Sequence, residues 1–265
     1  MSGVEVDVLH VSLLPGFTCR RNHEVIDLSG SQQKLVAALA LDEGTLQRED
    51  LAARLWPDIP PIRATARLRQ TLWRLNQLTD GRLLQVSHTT VALADRVRVD
   101  YRTAMRLVPS SGGHSGGHGG GHSGGHSGRY SAPGAEDEGP AQAWGTLQYP
   151  LLLGWDLEWL LPYQEKWELR RVQALERLAE VFLQREQHSV VLELADAAAQ
   201  ADPLREGPRR IAISSCLHAG EIADAHRRYQ RYRELLRAEL GISPSGAIPR
   251  RLLQARQQPL ATTLG

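Results

Sequence analysis

The stretch from Pro60 to Asp80 constrains the fold more than any other part of the chain. At 100° per residue, its apolar residues fall on one side of a helix, and three arginines and a glutamine fall on nearly the opposite side. The apolar set is Ala64, Leu68, Leu72 and Leu75, and the polar set is Arg63, Arg67, Gln70 and Arg74. The pattern predicts a helix over 61–79 that packs on a core and presents planar hydrogen-bond donors outward.

Two interpretations of the polar side of this helix are open. Arginine can donate two hydrogen bonds to guanine, glutamine can pair with adenine, and both reach phosphates. The alternative is an ordinary solvated charged face. Residues 60 to 106 contain nine arginines and three acidic residues, a local net charge of +6, whereas the formal charge of the whole chain is +1. A phosphate backbone responds to the local charge, which favours a nucleic-acid partner.

The segments around this helix follow the order strands, three helices, hairpin. The alternation from Val4 to Leu14 predicts a strand, with shorter strands around 17–19 and 24–26. Helices are predicted at 31–41 and 48–56, and strands at 83–86, 91–93 and 96–99, with the turn 87–90 between the first two. This order is typical of a winged helix-turn-helix, whose third helix enters the major groove and whose hairpin touches backbone or minor groove. We expect this DNA-binding domain to span 1–108, with its wing at 83–93.

Residues 109–143 have a composition that cannot bury a core. Glycine, serine and histidine dominate, and a short acidic cluster follows, so a flexible linker is predicted. Histidines recur every four residues, at His114, His118, His122 and His126. They are either part of a solvated spacer or a weak site for zinc, nickel or copper.

The region 144–258 is predicted to be helical throughout, followed by a tail at 259–265. An internal period of 34 residues relates Arg171 to Arg205 and Leu183 to Leu217. This period, with the break at Asp202-Pro203, is typical of tetratricopeptide repeats, which pair helices and stack the pairs on a continuous core. The alternative is an unrelated helical bundle. The fold class expected for the whole chain is mainly α with a small β component.

The remaining composition narrows the class of protein. The two cysteines, Cys19 and Cys216, lie far apart and in no metal-binding pattern, which is typical of a reducing compartment. No signal-peptide pattern and no run of 18 apolar residues is found, so an intracellular, cytoplasmic protein without membrane contact is expected. No catalytic triad, carboxylate pair or cysteine–histidine pair stands at a readable spacing. We expect neither an enzyme nor a cofactor.

Both halves resemble one family. The winged-helix segment carries Arg74-Leu75 and Val99-Asp100, and the helical region contains LLLGWDLEWLLPYQEKWELRRVQALERLAE (151–180), ADPLRE (201–206), RYQRYRELLRAELGISPS (228–245) and a terminal helix near 248–255. These features are similar to the bacterial transcriptional activator domain regulators of the antibiotic regulatory protein (SARP/AfsR-like) family, whose N-terminal domain is an OmpR/PhoB-type winged helix. The chain departs from them in its long His/Gly segment and in a wing tip without glycine.

The resemblance implies a transcriptional regulator, usually an activator, that binds repeated promoter sites in double-stranded DNA. It also implies a homodimer on DNA and contact with RNA polymerase, through the helical domain. The DNA-binding residues expected are Arg63, Arg67, Arg69, Gln70, Thr71, Arg74, His88 and Thr89. The alternative is a repeat-based adaptor whose winged helix binds protein. The local charge of +6 argues against it, because protein-binding surfaces are depleted in charge at their centre.

Overall fold

A computed structural model of the protein describes residues 8–107 and 145–257, with side chains to residue 253. Its first part opens with a four-stranded sheet in the order β3-β2-β1-β7. The strands are β1 (Leu9–Ser12), β2 (Thr18–Arg21), β3 (Glu24–Val25) and β7 (Arg98–Val99). The first three pair antiparallel, whereas β7 returns to pair parallel with β1. Alternation along β1 places Leu9 and Val11 in the core.

Three helices and a second sheet follow. The helices are α1 (Gly30–Leu41), α2 (Arg48–Leu55) and α3 (Pro61–Leu78), and the second sheet consists of β4 (Leu46–Gln47), β5 (Leu84–Val86) and β6 (Thr90–Leu93). A last helix, α4 (Asp100–Leu107), begins directly after β7. The caps agree with the sequence: Ser29 and Gln32 form a capping box at the start of α1, and Pro61 opens α3 at a position where its missing N–H is not needed.

The second part consists of helices packed in sequence. After a helical turn at 145–147 and a 3-10 turn (Glu158–Leu160), the helices are α5 (Leu161–Gln184), α6 (His188–Ala201), α7 (Glu206–His218), α8 (Ile222–Leu240) and α9 (Ala247–Gln257). Each helix from α5 to α8 packs on the next, α5 also packs on α7, and α9 packs on both α7 and α8. This is the arrangement expected of stacked helix pairs. Gly241, at φ 70°, ends α8 in the left-handed conformation.

Ion pairs reinforce the stacking between equivalent helices of successive pairs. Arg205 binds both carboxylate oxygens of Glu176 at 2.8 Å, which links the start of α7 to α5. Arg228 binds Asp196 at 2.6 and 3.1 Å, which links α8 to α6. Both contacts are bidentate, the geometry in which an arginine–carboxylate pair is strongest.

The mainly α architecture with a small β component is confirmed, and four local features differ from the sequence-based expectation. The predicted first strand is found from Leu9 to Ser12, and its first residues lie outside the described ranges. The strand predicted at 96–99 is only Arg98–Val99, and it pairs with β1 of the first sheet. The strand β4 and the helix α4 were not predicted. β4 pairs antiparallel with β6, so the second sheet has three strands.

The two parts share one hydrophobic core. The N–H of Leu152 donates to the carbonyl of Leu13 at 2.9 Å, which continues the backbone bonding of β1 into the second part. The Tyr101 ring packs on Trp167, with centroids 5.7 Å apart, and Phe17 stacks on Trp155. Trp167 is fully buried, and its indole N–H donates to the carbonyl of Tyr149 at 3.0 Å. The first part is therefore docked on the second.

A polar junction lies at the carboxyl end of α1. The Arg102 guanidinium donates to the carbonyls of Leu39 (2.7 Å) and Ala40 (2.8 Å), and also to that of Asp42. The Asp42 carboxylate accepts a bond from Arg54 at 2.6 Å and from the Tyr163 hydroxyl at 2.7 Å. Burial lowers the pKa of Arg102, and nearby carboxylates only partly offset this effect. Elements α1, α2, α4 and α5 all meet at this junction.

Two further findings concern the expected class of protein. Cys19 and Cys216 are both buried and free, and burial raises the pKa of the Cys19 thiol to about 11. Within residues 8–107 and 145–257, no helix has the length and apolar character needed to cross a membrane.

We expect Arg102→Ala to lower the free energy of unfolding by about 3 kcal/mol, because carbonyls at the end of α1 lose a charged donor. Urea unfolding followed by circular dichroism measures this. Arg106→Ala removes an exposed arginine from the same helix and should change stability by no more than about 0.5 kcal/mol. Equal losses in the two variants would contradict the role given to Arg102.

Candidate nucleic-acid interface

Helix α3 is held by one face and exposed on the other. Its apolar stripe is buried: Ala64, Leu68, Leu72 and Leu75 are at most 3% exposed. The helix ends where the Thr79 hydroxyl donates to the carbonyl of Leu75 at 2.8 Å, and Asp80 and Gly81 then turn the chain with positive φ. The 18-residue helix is about 27 Å long. The helix is therefore fixed through its buried face, and its other face is exposed.

The polar stripe of α3 is exposed along its whole length. It consists of Arg63, Arg67, Gln70 and Arg74, and all four side chains are exposed. The Arg67 guanidinium lies 5.3 Å from the centre of the Trp56 ring, a cation–π contact that restrains it. Within residues 8–107 and 145–257, Arg63, Arg67 and Arg74 form no ion pair with a carboxylate. Their donors are therefore available to a ligand.

Arg69 and Thr71, the other residues of α3 predicted to contact DNA, do not lie on the polar stripe. Arg69 is exposed, but it lies about 200° around the helix from Arg67 and belongs to another flank of α3. Thr71 does not lie on the exposed face: it is 7% exposed and its hydroxyl donates to the carbonyl of Arg67 at 2.9 Å. Its projection falls beside the buried stripe and its donor is used within the helix, so the structure does not favour the expected contact with DNA, which stays a prediction.

The wing is the hairpin of β5 and β6, and its tip is closed without glycine. The N–H of Ser87 donates to the carbonyl of Thr90 at 2.9 Å, and the N–H of Thr90 donates to the Ser87 hydroxyl at 2.9 Å. The two hydroxyls are also bonded, at 2.7 Å. These side-chain bonds stabilise a turn in which other hairpins place a glycine. His88 and Thr89 are exposed at the tip.

The start of α2 anchors the wing tip. The N–H of Arg48 donates to the carbonyl of Thr89 at 2.8 Å, and its guanidinium donates to the carbonyl of His88 at 3.2 Å. Arg48 could not be predicted from the sequence, because β4, which brings it beside the wing, is only two residues long.

A cleft of about 490 Å³ lies between the start of α2, the flank of α3 and the wing. It brings Arg69, His88 and Thr89 together with Arg48. Glu49 and Asp50 line it as well, so its charge is mixed. The polar stripe of α3, rather than this cleft, is the cationic part of the interface.

The predicted metal-binding histidines, His114, His118, His122 and His126, lie outside the described residues. Among residues 8–107 and 145–257, no three histidine, cysteine, aspartate or glutamate side chains are grouped as a metal site would require.

The chain is similar to known regulatory proteins. Residues 141–255 match the bacterial transcriptional activator domain family. The chain is 28% identical to regulatory protein AfsR of Streptomyces coelicolor and 26% identical to that of Streptomyces griseus, over 95% of its own length. It spans only 25% of each of those relatives.

A solved structure has a similar fold. It is that of Mycobacterium tuberculosis EmbR in complex with a low affinity phosphopeptide, with a TM-score of 0.66 and 19% identity. The match covers 96% of this chain and 66% of that chain. The resemblance proposed from the sequence motifs is confirmed by these comparisons together.

We expect Ser87→Ala to loosen the wing tip, because the Thr90 N–H loses its acceptor. The cost should be about 1 kcal/mol, which corresponds to roughly fivefold faster hydrogen exchange at the Thr90 amide. Thr89→Ala is the matched control in the same turn, since within the described part of the chain Thr89 bonds through its backbone carbonyl and not through its side chain, and the substitution should leave that exchange rate unchanged. An unchanged rate in Ser87→Ala would show that the hydroxyl does not hold the turn.

Proposed function

Because residues 141–255 match the bacterial transcriptional activator domain family, we propose that this chain regulates transcription by binding specific sequences in double-stranded DNA. Residues up to 108 carry the DNA contacts, and residues 144–258 carry contacts with partner proteins. The observation that carries the proposal is the exposed polar stripe of α3, with three arginines that have no carboxylate partner among the described residues.

The geometry of α3 suits a major groove. The groove of B-DNA is about 12 Å wide and admits one helix. Arg63 and Arg74 are eleven residues apart, or about 16 Å along the helix axis, which matches roughly five base pairs. Gln70 lies between arginines on the same stripe. The stripe can therefore read several consecutive base edges, with its outer members on phosphates.

The wing and the cleft add contacts outside the groove. His88 and Thr89 are at the exposed tip, and Arg69 faces the cleft beside them. The carboxylates of Glu49 and Asp50 would repel a phosphate placed deep in the cleft. We therefore assign Arg69, His88 and Thr89 to the rim, where they meet the DNA backbone.

The helical part supports the regulatory half of the proposal. Stacked helix pairs offer an extended surface to other proteins, and we assign to it dimerisation on DNA and contact with RNA polymerase. The docking of the two parts through a shared core supports a single orientation of α3 relative to that surface. An activator that binds repeated sites requires such a fixed relation, since repeat spacing must match the spacing of the bound copies.

Selection of the full chain against random duplexes tests the proposal. We expect enrichment of a repeated motif, with a repeat spacing close to a whole number of helical turns. Affinity for the selected site should fall steeply between 50 and 200 mM salt, and a scrambled duplex should bind far more weakly. Failure to enrich any sequence would favour the adaptor alternative, which binding assays with the helical region can then address.

We expect Arg67→Ala and Arg74→Ala to weaken binding to the selected site. An arginine that reads a base should cost about 1–3 kcal/mol and relax specificity at one position, whereas a phosphate contact should weaken all sequences alike and reduce the salt dependence. Fluorescence anisotropy over a salt series separates the two. Arg106→Ala, which removes an exposed arginine from α4, should leave affinity unchanged. Unchanged affinity in both stripe variants would contradict the assignment of α3.

A further inference from the structure

The outer surface of α3 carries apolar side chains that the core does not use. Ile62 is 87% exposed and Trp73 is 63% exposed, and Ala66 between them is also exposed. With Arg69, these residues repeat the spacing of the polar stripe, displaced by one residue. A second stripe, made of Ile62, Ala66, Arg69 and Trp73, therefore runs beside the polar one on the side away from the core.

Neither packing nor capping of α3 requires Ile62. The N–H groups of Arg63 and Ala64 both donate to the carbonyl of Pro60, at 2.9 and 3.0 Å, so backbone atoms close the first turn. Ile59, not Ile62, packs against the core at the entry to the helix. A side chain that stays 87% exposed gains little from folding. Its apolar surface is available for a bound partner.

We propose that Ile62 and Ala66 recognise thymine in the target duplex by packing against its C5-methyl group in the major groove. This inference rests on the proposed function, because it requires α3 to lie in that groove. The thymine methyl is the apolar group that the major-groove edge of the bases presents, and small apolar side chains contact it. Residues at the start of a recognition helix are those that reach base edges, and both residues lie in the first two turns of α3.

The spacing of the two residues limits where the thymines lie. Ile62 and Ala66 are about 6 Å apart along the helix axis, close to two base-pair steps. The neighbouring Arg63 and Gln70 supply donors for guanine and adenine on the adjoining stripe. The expected site therefore combines thymine at one or two positions with purines beside them. Trp73 lies about 10 Å beyond Ala66 and outside this assignment.

Deoxyuridine substitution tests the inference with the full chain. Uracil lacks the C5-methyl group and keeps the same pairing, so each thymine of the selected duplex is replaced singly. We expect one or two positions to bind about fourfold more weakly, the factor for losing one buried methyl-sized group. Ile62→Ser should bind the unsubstituted duplex about fourfold more weakly and should no longer distinguish thymine from uracil at its position.

Val25→Ser is the matched control, because it removes a 62% exposed apolar side chain from β3, outside α3. It should retain the wild-type preference for thymine, and circular dichroism should show all variants folded. Specific binding with no penalty at any deoxyuridine would overturn this inference and leave the proposed function standing. If Ile62→Ser and Ala66→Ser both still bind the deoxyuridine duplexes more weakly than the unsubstituted duplex, the inference is also overturned. Absence of any selected sequence would overturn both proposals.

Discussion

The contact between Arg102 and the carboxyl end of α1 lies at the junction that joins the helices of the first part to α5 of the second part. The last carbonyls of a helix have no partners within it, and here a guanidinium from α4 supplies donors to Leu39, Ala40 and Asp42. The same helix end presents the Asp42 carboxylate to Arg54 of α2 and Tyr163 of α5. Since α3 packs on α2, its orientation relative to the helical part depends on this junction.

A second partly buried polar group lies two residues before Arg102. The Asp100 carboxylate, at the start of α4, accepts bonds from the N–H groups of Leu13 (2.9 Å) and Leu14 (3.2 Å). Burial raises the pKa of Asp100, and these backbone donors oppose that rise. The carbonyl of Leu13 meanwhile accepts the N–H of Leu152 from the helical part. The end of β1 is thus fixed from both sides, by a side chain of α4 and by the backbone of the second part.

Much of this fold could be predicted from local periodicity. The 3.6-residue repeat of Ala64, Leu68, Leu72 and Leu75 correctly predicted the buried face of α3, and the same projection would have placed Thr71 beside it. The features that were missed, the strand β4 and the sheet that β7 joins, depend on long-range contacts. β4 has two residues and exists because it pairs with β6, and β7 is defined by parallel pairing with β1, nearly 90 residues earlier. Single residues such as Asp42 and Tyr163 carry no pattern that would pair them.

The polar stripe of the candidate interface was predicted from the sequence. The second stripe, which carries Ile62 and Trp73, was not. Arginine and glutamine at helical spacing indicate binding, because their side chains can donate hydrogen bonds to bases and phosphates. A large apolar residue such as Ile62 or Trp73, in contrast, is expected from the sequence to be buried. Only the structure shows that these two side chains lie outside the core. The turn at 87–90 was predicted, but its closure was not, because Ser87 and Thr90 close it through side-chain hydroxyls where glycine would have been the usual signal.

The docking of the two parts determines how far the length of the segment between them can affect their relative position. Leu147 is buried in the same core as Tyr101, so the chain leaves and re-enters a single packed body on either side of residues 108–144. The length of that segment therefore does not set the distance between α3 and the helical part. The entropy of closing a loop grows only with the logarithm of its length. A longer or shorter chain between residues 107 and 145 should therefore change the stability of this packed body only slightly.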